Sequence, residues 1–157
     1  MQDKPERIAK ITLDESSMKK RSREAEHERD LAIADLLDEN CFEPRCMKSG
    51  PYNVHLAIEE GKLAMGVTSP QEEKYSKVVL SISPLRGIIR DYFMIFESYQ
   101  AAVSSGSACK IEAVDMGRRG IHNEGSEMLQ DILKDRILVD FPTARRLFTL
   151  ICVLHIK

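Results

Sequence analysis

The residues best equipped for chemistry in this 157-residue chain are crowded between positions 115 and 127. Asp115, Met116, Gly117, Arg118, Arg119, Gly120, Ile121, His122, Asn123, Glu124, Gly125, Ser126 and Glu127 place a base, several acids and two cations in one short run. On a continuous helix Asp115, Arg119, His122 and Ser126 share a face, through spacings of three, four and seven. A histidine oriented by Asp115 or Glu124 has the makings of an acid/base pair, because proton transfer needs a group that titrates near neutrality and is held in place. The same spacing also builds an ion-paired helix face whose glycines admit a neighbouring helix. That structural reading carries about twice the weight, since ion-pair networks perturb charges as sites do.

Arg145 and Arg146 are the second candidate. They stand in the first turn of a buried, apolar helix, where the macrodipole is positive and disfavours each cation by about 0.3–1 kcal/mol. An anion should compensate them. Glu26 and Asp30 of the first helix lie on a stripe with Ile33 and Leu37 and are the expected partners, and a phosphate-bearing ligand is the alternative. Together, Arg118, Arg119, Arg145 and Arg146 form an arginine-rich region through which a protein or an RNA could be bound. That binding role is slightly favoured over an enzyme using His122 with Asp115 or Glu124, because no complete catalytic set can be assembled.

Other candidates are weaker. Cys41 and Cys46 are spaced C-x4-C without a second pair or an H-x3-H to complete a zinc set, and His122 with Glu124 and Glu127 matches no ligand spacing. No metal or cofactor is expected. The glycines around Arg118 and Arg119 lack the G-x-x-x-x-G-K-[ST] pattern and a strand before them. His27 reads as a rim residue, His55 as part of a strand's solvated face, and His155 as a helix C-terminal residue favoured by the dipole. Lys19, Lys20, Arg21 and Arg23 read as a solvated helix face. They form the one local cationic cluster of a size useful for RNA, without interleaved aromatic residues to stack bases.

These residues depend on the elements that carry them. Ile8, Ile11 and Leu13 mark a strand over 7–13, and 16–39 is a helix without glycine or proline that Ser16 or Ser17 could cap. A turn-rich stretch, 40–51, follows. Tyr52, Val54, Leu56 and Ile58 alternate with polar neighbours as a half-buried strand, Glu60 and Gly61 turn it, and Leu63, Met65 and Val67 return. Another strand covers 75–82. Ser83 and Pro84 open a helix to about Val103 whose stripe runs from Leu85 through Phe96 to Val103. Residues 108–134 are helical by period, with a break near Gly120 nearly as well supported, because each interior glycine costs about 1 kcal/mol. A short strand at 137–139 precedes a last helix that must lie inside, since only Thr149 is polar from Leu147 to Leu154. The expected fold is α+β: an antiparallel sheet of four or five strands with about four helices on one face, and Phe96, Ile151 and Leu154 nearly fully buried.

The chain as a whole sets wider bounds. Hydrophobic residues at 43% and charged residues at 31% suit one globular domain over 1–157 and exclude the composition of disorder. A net charge of −2 provides no general field for phosphate polymers, so any nucleic-acid role must be local. No apolar run is long enough for a membrane helix and MQDKPERIAK has no signal-like core, which points to the cytoplasm. Four cysteines are too few for a disulfide framework.

ITLDE, EHERDLAIADLLDEN, AVDMGRRGIHNEGSE and TARRLFTLICVLH together resemble uncharacterised protein family 0262 of bacteria, over nearly the whole chain. The resemblance implies no activity, substrate or cofactor. The family pattern favours a tryptophan where Ile156 stands, and it does not point to cysteines at Cys41 and Cys46, which weakens a metal role for that pair.

Overall fold

In the computed structural model, residues 4–15 and 23–155 are described. The expected Ser16 or Ser17 cap and the cluster Lys19, Lys20 and Arg21 lie outside them. The elements run β1 (Ile8–Leu13), α1 (Arg23–Asp38), β2 (Phe42–Pro44), β3 (Tyr52–Glu59), β4 (Lys62–Ser69), β5 (Lys74–Ser81), α2 (Arg86–Ser105), α3 (Ala108–Leu133), β6 (Ile137–Val139) and α4 (Phe141–Leu154). This is the α+β architecture expected, with one four-stranded sheet in the order β1-β3-β4-β5 and a two-stranded ladder of β2 and β6.

The sheet departs from the all-antiparallel expectation at one edge: β1 runs parallel to β3. The physical reason lies in the connection. A two-residue turn forces antiparallel pairing, whereas the chain between β1 and β3 contains α1 and is long enough for a crossover. β3 and β4 do form the expected hairpin, with Glu59 opposite Lys62. Both turn residues take positive φ, 52° at Glu60 and 77° at Gly61, the conformation a two-residue hairpin with the strands' twist requires. Tyr52, Val54, Leu56, Leu63, Met65, Val67 and Val78 point to one face and are buried there.

β2 was hidden in the turn-rich stretch, and it pairs with β6, the short strand expected at 137–139. Phe42 faces Val139 and Pro44 faces Ile137. The ladder fastens the chain leaving α1 to the chain entering α4. Two side chains complete that join. Asn40, buried, accepts from Ile8 N at 2.7 Å and donates to the Ile8 and Leu36 carbonyls. Thr143 Oγ1 accepts from Cys41 N at 2.9 Å. Asp140 caps α4 by accepting from Thr143 N at 3.0 Å.

A short 3-10 turn, Ser83–Leu85, leads into α2. Pro84 sits at the start as expected, but Ser83 accepts no orphan N–H; its hydroxyl lies 3.1 Å from that of Ser81. α3 is unbroken through all three glycines. Two of them serve close approach: a Cβ at Gly125 would run into the Phe148 ring, and one at Gly117 would meet Ile95 Cδ1 at 3.1 Å. Gly120 faces open space.

All of α4 from Leu147 to Leu154 is buried, Ile151 and Leu154 included. Phe96 is only half-buried, contrary to expectation. It stacks on Tyr92, which takes the interior position on the α2 stripe. Among the described residues, no helix is long and apolar enough to cross a membrane.

The glycines of α3 should separate cleanly by mutation. Gly125→Ala should lower stability by about 1–3 kcal/mol through overpacking against Phe148, while Gly120→Ala should raise it by up to about 1 kcal/mol through helix propensity. Urea unfolding of both variants reads the two signs. Effects of the same sign would mean that packing does not decide where α3 tolerates a side chain.

Candidate functional site

The buried stripe of α1 fixes what faces the other helices. Ala25, Ala32 and Leu36 are buried, and the small side chains bring α1 close to α4. Glu28 stands on this stripe, between Ala25 and Ala32, and Asp35 stands beside Leu36 at its rim. Glu26 and Asp30 point to solvent, so neither is the partner expected for the arginines. Asp30 pairs with Arg29 at 2.9 Å.

Between α1, α3 and α4 opens a cleft of about 390 Å³ lined by Glu28, Leu31, Ala32, Asp35, Arg118, His122, Arg145, Arg146 and Thr149. Of the residues singled out from sequence, it gathers Arg118, His122, Arg145 and Arg146. Arg119 stays on the outer surface of α3, where it pairs with Asp115 at 2.8 Å. Asp115 also holds Arg118 at 2.9 Å. Glu124 is exposed, two residues and roughly 200° round the helix from His122. Neither Asp115 nor Glu124 hydrogen-bonds His122 among the described residues.

The three arginines differ in how their charge is met. Arg118 has Asp115, reaches Glu28 at 3.8 Å and stacks 4.7 Å above the Tyr99 ring. Arg146 reaches Asp35 at 3.9 Å and the Pro142 carbonyl at 3.4 Å. Arg145 is half-buried and its guanidinium has no carboxylate or carbonyl partner among the described residues. Burial first, and then Arg146, Arg118 and Arg119, pull its pKa below the usual arginine value. It nevertheless keeps its charge. α4 begins at Phe141, so both arginines lie in its second turn and not, as expected, in its first; there the dipole has faded and desolvation is the larger cost.

His122 forms the inner part of the cleft. It is 6% exposed, set edge-to-face against Tyr92 and Phe148 with centroids 5.6 and 6.1 Å away. Burial, then Arg145, Arg118 and Arg146, lower its pKa to about 4, so at neutral pH the ring is uncharged. Its neighbour fixes its tautomer. Thr149 Oγ1 lies 3.1 Å from the Arg145 carbonyl and 3.4 Å from His122 Nδ1. A hydroxyl has one hydrogen, and the carbonyl can only accept it; Oγ1 is then the acceptor for Nδ1–H. The free lone pair of the imidazole is on Nε2. Beside the ring, the Tyr92 hydroxyl is buried without a hydrogen-bond partner among the described residues. Burial and the Glu28 carboxylate raise its pKa far above the ordinary phenol value.

Sequence reasoning missed Glu28, Asp35 and Thr149 as lining of this cleft, and Tyr92 as the ring packed behind His122. Thr149 carried a signal, being the one polar residue in the apolar half of α4 and four residues after Arg145. Tyr92 looked like any other member of the α2 stripe. Cys41 is half-buried and Cys46 exposed, both as free thiols. His55 is exposed with Nδ1 2.6 Å from Thr12 Oγ1, and His155 bonds the Ile151 carbonyl at 2.8 Å in the last turn of α4. His27 lines a neighbouring cleft with Arg23, Phe96 and Tyr99.

Fold and site together define a small α+β protein with a cationic cleft over a buried, neutral histidine. The chain belongs to uncharacterised protein family UPF0262, which matches residues 5–157. It is 49% identical to a UPF0262 protein of Azorhizobium caulinodans, over 98% of this chain and 96% of the relative. It is 51% identical to one of Brucella suis, over 95% and 93%, and 50% identical to one of Phenylobacterium zucineum, over 95% and 92%. No solved structure matches the chain.

Two measurements test this geometry. The Arg146–Asp35 pair is long and its side chains are 32% and 58% exposed, so a double-mutant cycle should give a coupling of at most about 1 kcal/mol. A coupling of about 3 kcal/mol or more would indicate a buried pair. His122 should make stability depend on pH. Its folded pKa of about 4 lies below the ordinary 6.5, so the unfolded chain takes up the proton first as pH falls. The stabilisation is full above pH 6.5 and is lost between 6.5 and 4, to the extent of about 3 kcal/mol at roughly 1.4 kcal/mol per pH unit. Urea unfolding of the native chain and of His122→Gln from pH 7 to 4 should therefore converge. A constant gap between them would contradict the shift.

Proposed function

We propose that this protein is a cytoplasmic binding module that holds an anionic group of a protein or RNA partner in the cleft of Arg118, Arg145 and Arg146. The observation that carries the reading is Arg145: a charge partly withdrawn from water, inside a concavity, with no counter-charge bound to its guanidinium among the described residues. A half-buried cation without a partner is costly, and an incoming oxyanion would offset that cost through charge-assisted hydrogen bonds. Arg118 is pre-positioned by Asp115 and Tyr99, which lowers the entropy lost when it engages a ligand. The low cysteine count, with free thiols throughout the described residues, supports the cytoplasm as its compartment.

A second reading, an enzyme using His122 with Asp115 or Glu124, draws support from the concave shape of the cleft and the perturbed histidine. Two features weigh against it: Asp115 is engaged by two arginines, and Glu124 faces away. A base with a pKa of about 4 is also weak at neutral pH.

Thermal unfolding in increasing inorganic phosphate tests the binding reading. A ligand that binds only the folded state stabilises it, by about 2.7 kcal/mol at a hundred times Kd, and here the gain should shrink as sodium chloride rises. Arg145→Gln should abolish the gain, and Arg119→Gln should leave it unchanged. A gain that survives Arg145→Gln, or none in the native chain, would remove the cleft as the binding site.

A further inference from the structure

The walls of the cleft carry opposite charges. α3 and α4 supply Arg118, Arg145 and Arg146, while α1 supplies Glu28 and Asp35. A nucleic-acid backbone passing through would have to bring phosphates close to those two carboxylates. Like charges 4 Å apart repel by about 1 kcal/mol even in bulk water, and by more at a protein surface. A terminal oxyanion avoids this penalty, because it can enter end-on and reach Arg145 without carrying a chain of phosphates past the two carboxylates. Sequence alone expected acids of the first helix beside these arginines, at Glu26 and Asp30; in the folded cleft Glu28 and Asp35 make it bipolar.

The donors favour phosphate over carboxylate. Guanidiniums reach the cleft from two helices, and each presents a planar fork of N–H groups. A carboxylate has two oxygens in one plane, whereas a terminal phosphate has three that diverge and can meet donors from different walls. The inner end of the cleft adds an acceptor. His122 lines it and offers the lone pair of Nε2, whereas the Tyr92 hydroxyl packed edge-on behind that ring is wholly buried and does not line the cleft. A monoprotonated phosphate monoester has both an O–H to give and oxygens to accept. A fully esterified internal phosphodiester has no O–H.

We infer that the cleft recognises a terminal phosphate monoester, and that Glu28 and Asp35 keep an internal phosphodiester backbone from passing through it. This rests on the binding reading above. Such a group occurs on a phosphorylated side chain and at the 5′ end of an RNA, and both present the same chemistry to Arg145.

Calorimetric titration of the full chain with phenyl phosphate, benzoate, dimethyl phosphate and short oligouridines with and without a 5′-phosphate tests the inference. Phenyl phosphate should bind at least about tenfold more tightly than benzoate or dimethyl phosphate, the ratio expected from one or more hydrogen bonds to charged groups. The 5′-phosphorylated oligouridine should bind at least about tenfold more tightly than its unphosphorylated counterpart if the source is an RNA end; a phosphoserine peptide should show the same preference over its serine form if the source is a protein. Arg145→Gln should abolish phenyl phosphate binding and Arg145→Lys should weaken it while keeping the charge, with circular dichroism showing both folded. Replacing Glu28 and Asp35 by glutamine should raise affinity for unphosphorylated oligouridine. If unphosphorylated oligouridine binds the native chain as tightly as the 5′-phosphorylated form, and Arg145→Gln removes both, the binding module stands and the monoester inference is overturned. Equal binding of benzoate and phenyl phosphate overturns it too. If none of these anions binds, or binding ignores Arg145, the binding reading falls with it.

Discussion

Helix α4 has to be covered on nearly every side, because every residue from Leu147 to Leu154 is buried. Most of the other arrangements follow from that demand. The sheet covers it through β3, α3 packs along one flank with Gly125 giving room to Phe148, and α1 packs along the other through Ala25 and Ala32. Each buried aliphatic or aromatic side chain contributes about 1.5–3 kcal/mol relative to exposure, so this helix and its lining supply a large part of the folding free energy. The β2–β6 ladder and the Asp140 cap set where α4 starts, and thereby where its polar N-terminal half emerges.

The cleft is a by-product of that same packing. Where α4 changes from apolar to basic, three helices still converge but cannot close over Arg145 and Arg146 without burying charge. A concavity remains there, with the buried His122 and Thr149 at its floor. The floor is apolar enough to keep the imidazole neutral, and the arginines reinforce that state because each disfavours a second positive charge nearby. The result is a neutral hydrogen-bonding floor below a charged rim.

Acidic residues on α1 keep the rim from being uniformly basic. Glu28 and Asp35 reach Arg118 and Arg146 only at 3.8 and 3.9 Å, so they temper those charges without locking them. Loose pairs of this kind contribute little to stability and are easily exchanged for a ligand's oxygens. Arg119, tied to Asp115 on the outside of α3, belongs to the helix surface and not to this arrangement.

Much of this was legible in the sequence because it is local. Alternation in 52–58 and 63–67, the Glu60-Gly61 turn, the apolar stripe of α2 and the interior character of α4 all depend on a few neighbouring residues, and the side-chain periods of 2 and 3.6 translate them directly into faces. Arg118, Arg119, Arg145 and Arg146 were legible as one arginine-rich region and His122 as a separate candidate; the fold alone joins His122 to Arg118, Arg145 and Arg146 and leaves Arg119 out. What only the tertiary structure decided was phase and pairing between distant elements. Two stripes compete on α1, one through Ile33 and Leu37 and one through Ala25, Ala32 and Leu36; close approach to α4 selects the small residues, and that rotation puts Glu28 and Asp35, not Glu26 and Asp30, toward the arginines. Tyr92 rather than Phe96 fills the interior for the same reason. The parallel pairing of β1 with β3 and the ladder of Phe42–Pro44 with Ile137–Val139 join residues far apart in the chain, where no local period carries information. The guanidinium of Arg145 is left without a bonded carboxylate among the described residues, with only the more distant charge of Asp115 acting on it, by the same nonlocal geometry, since a residue's partner depends on where every other helix comes to rest.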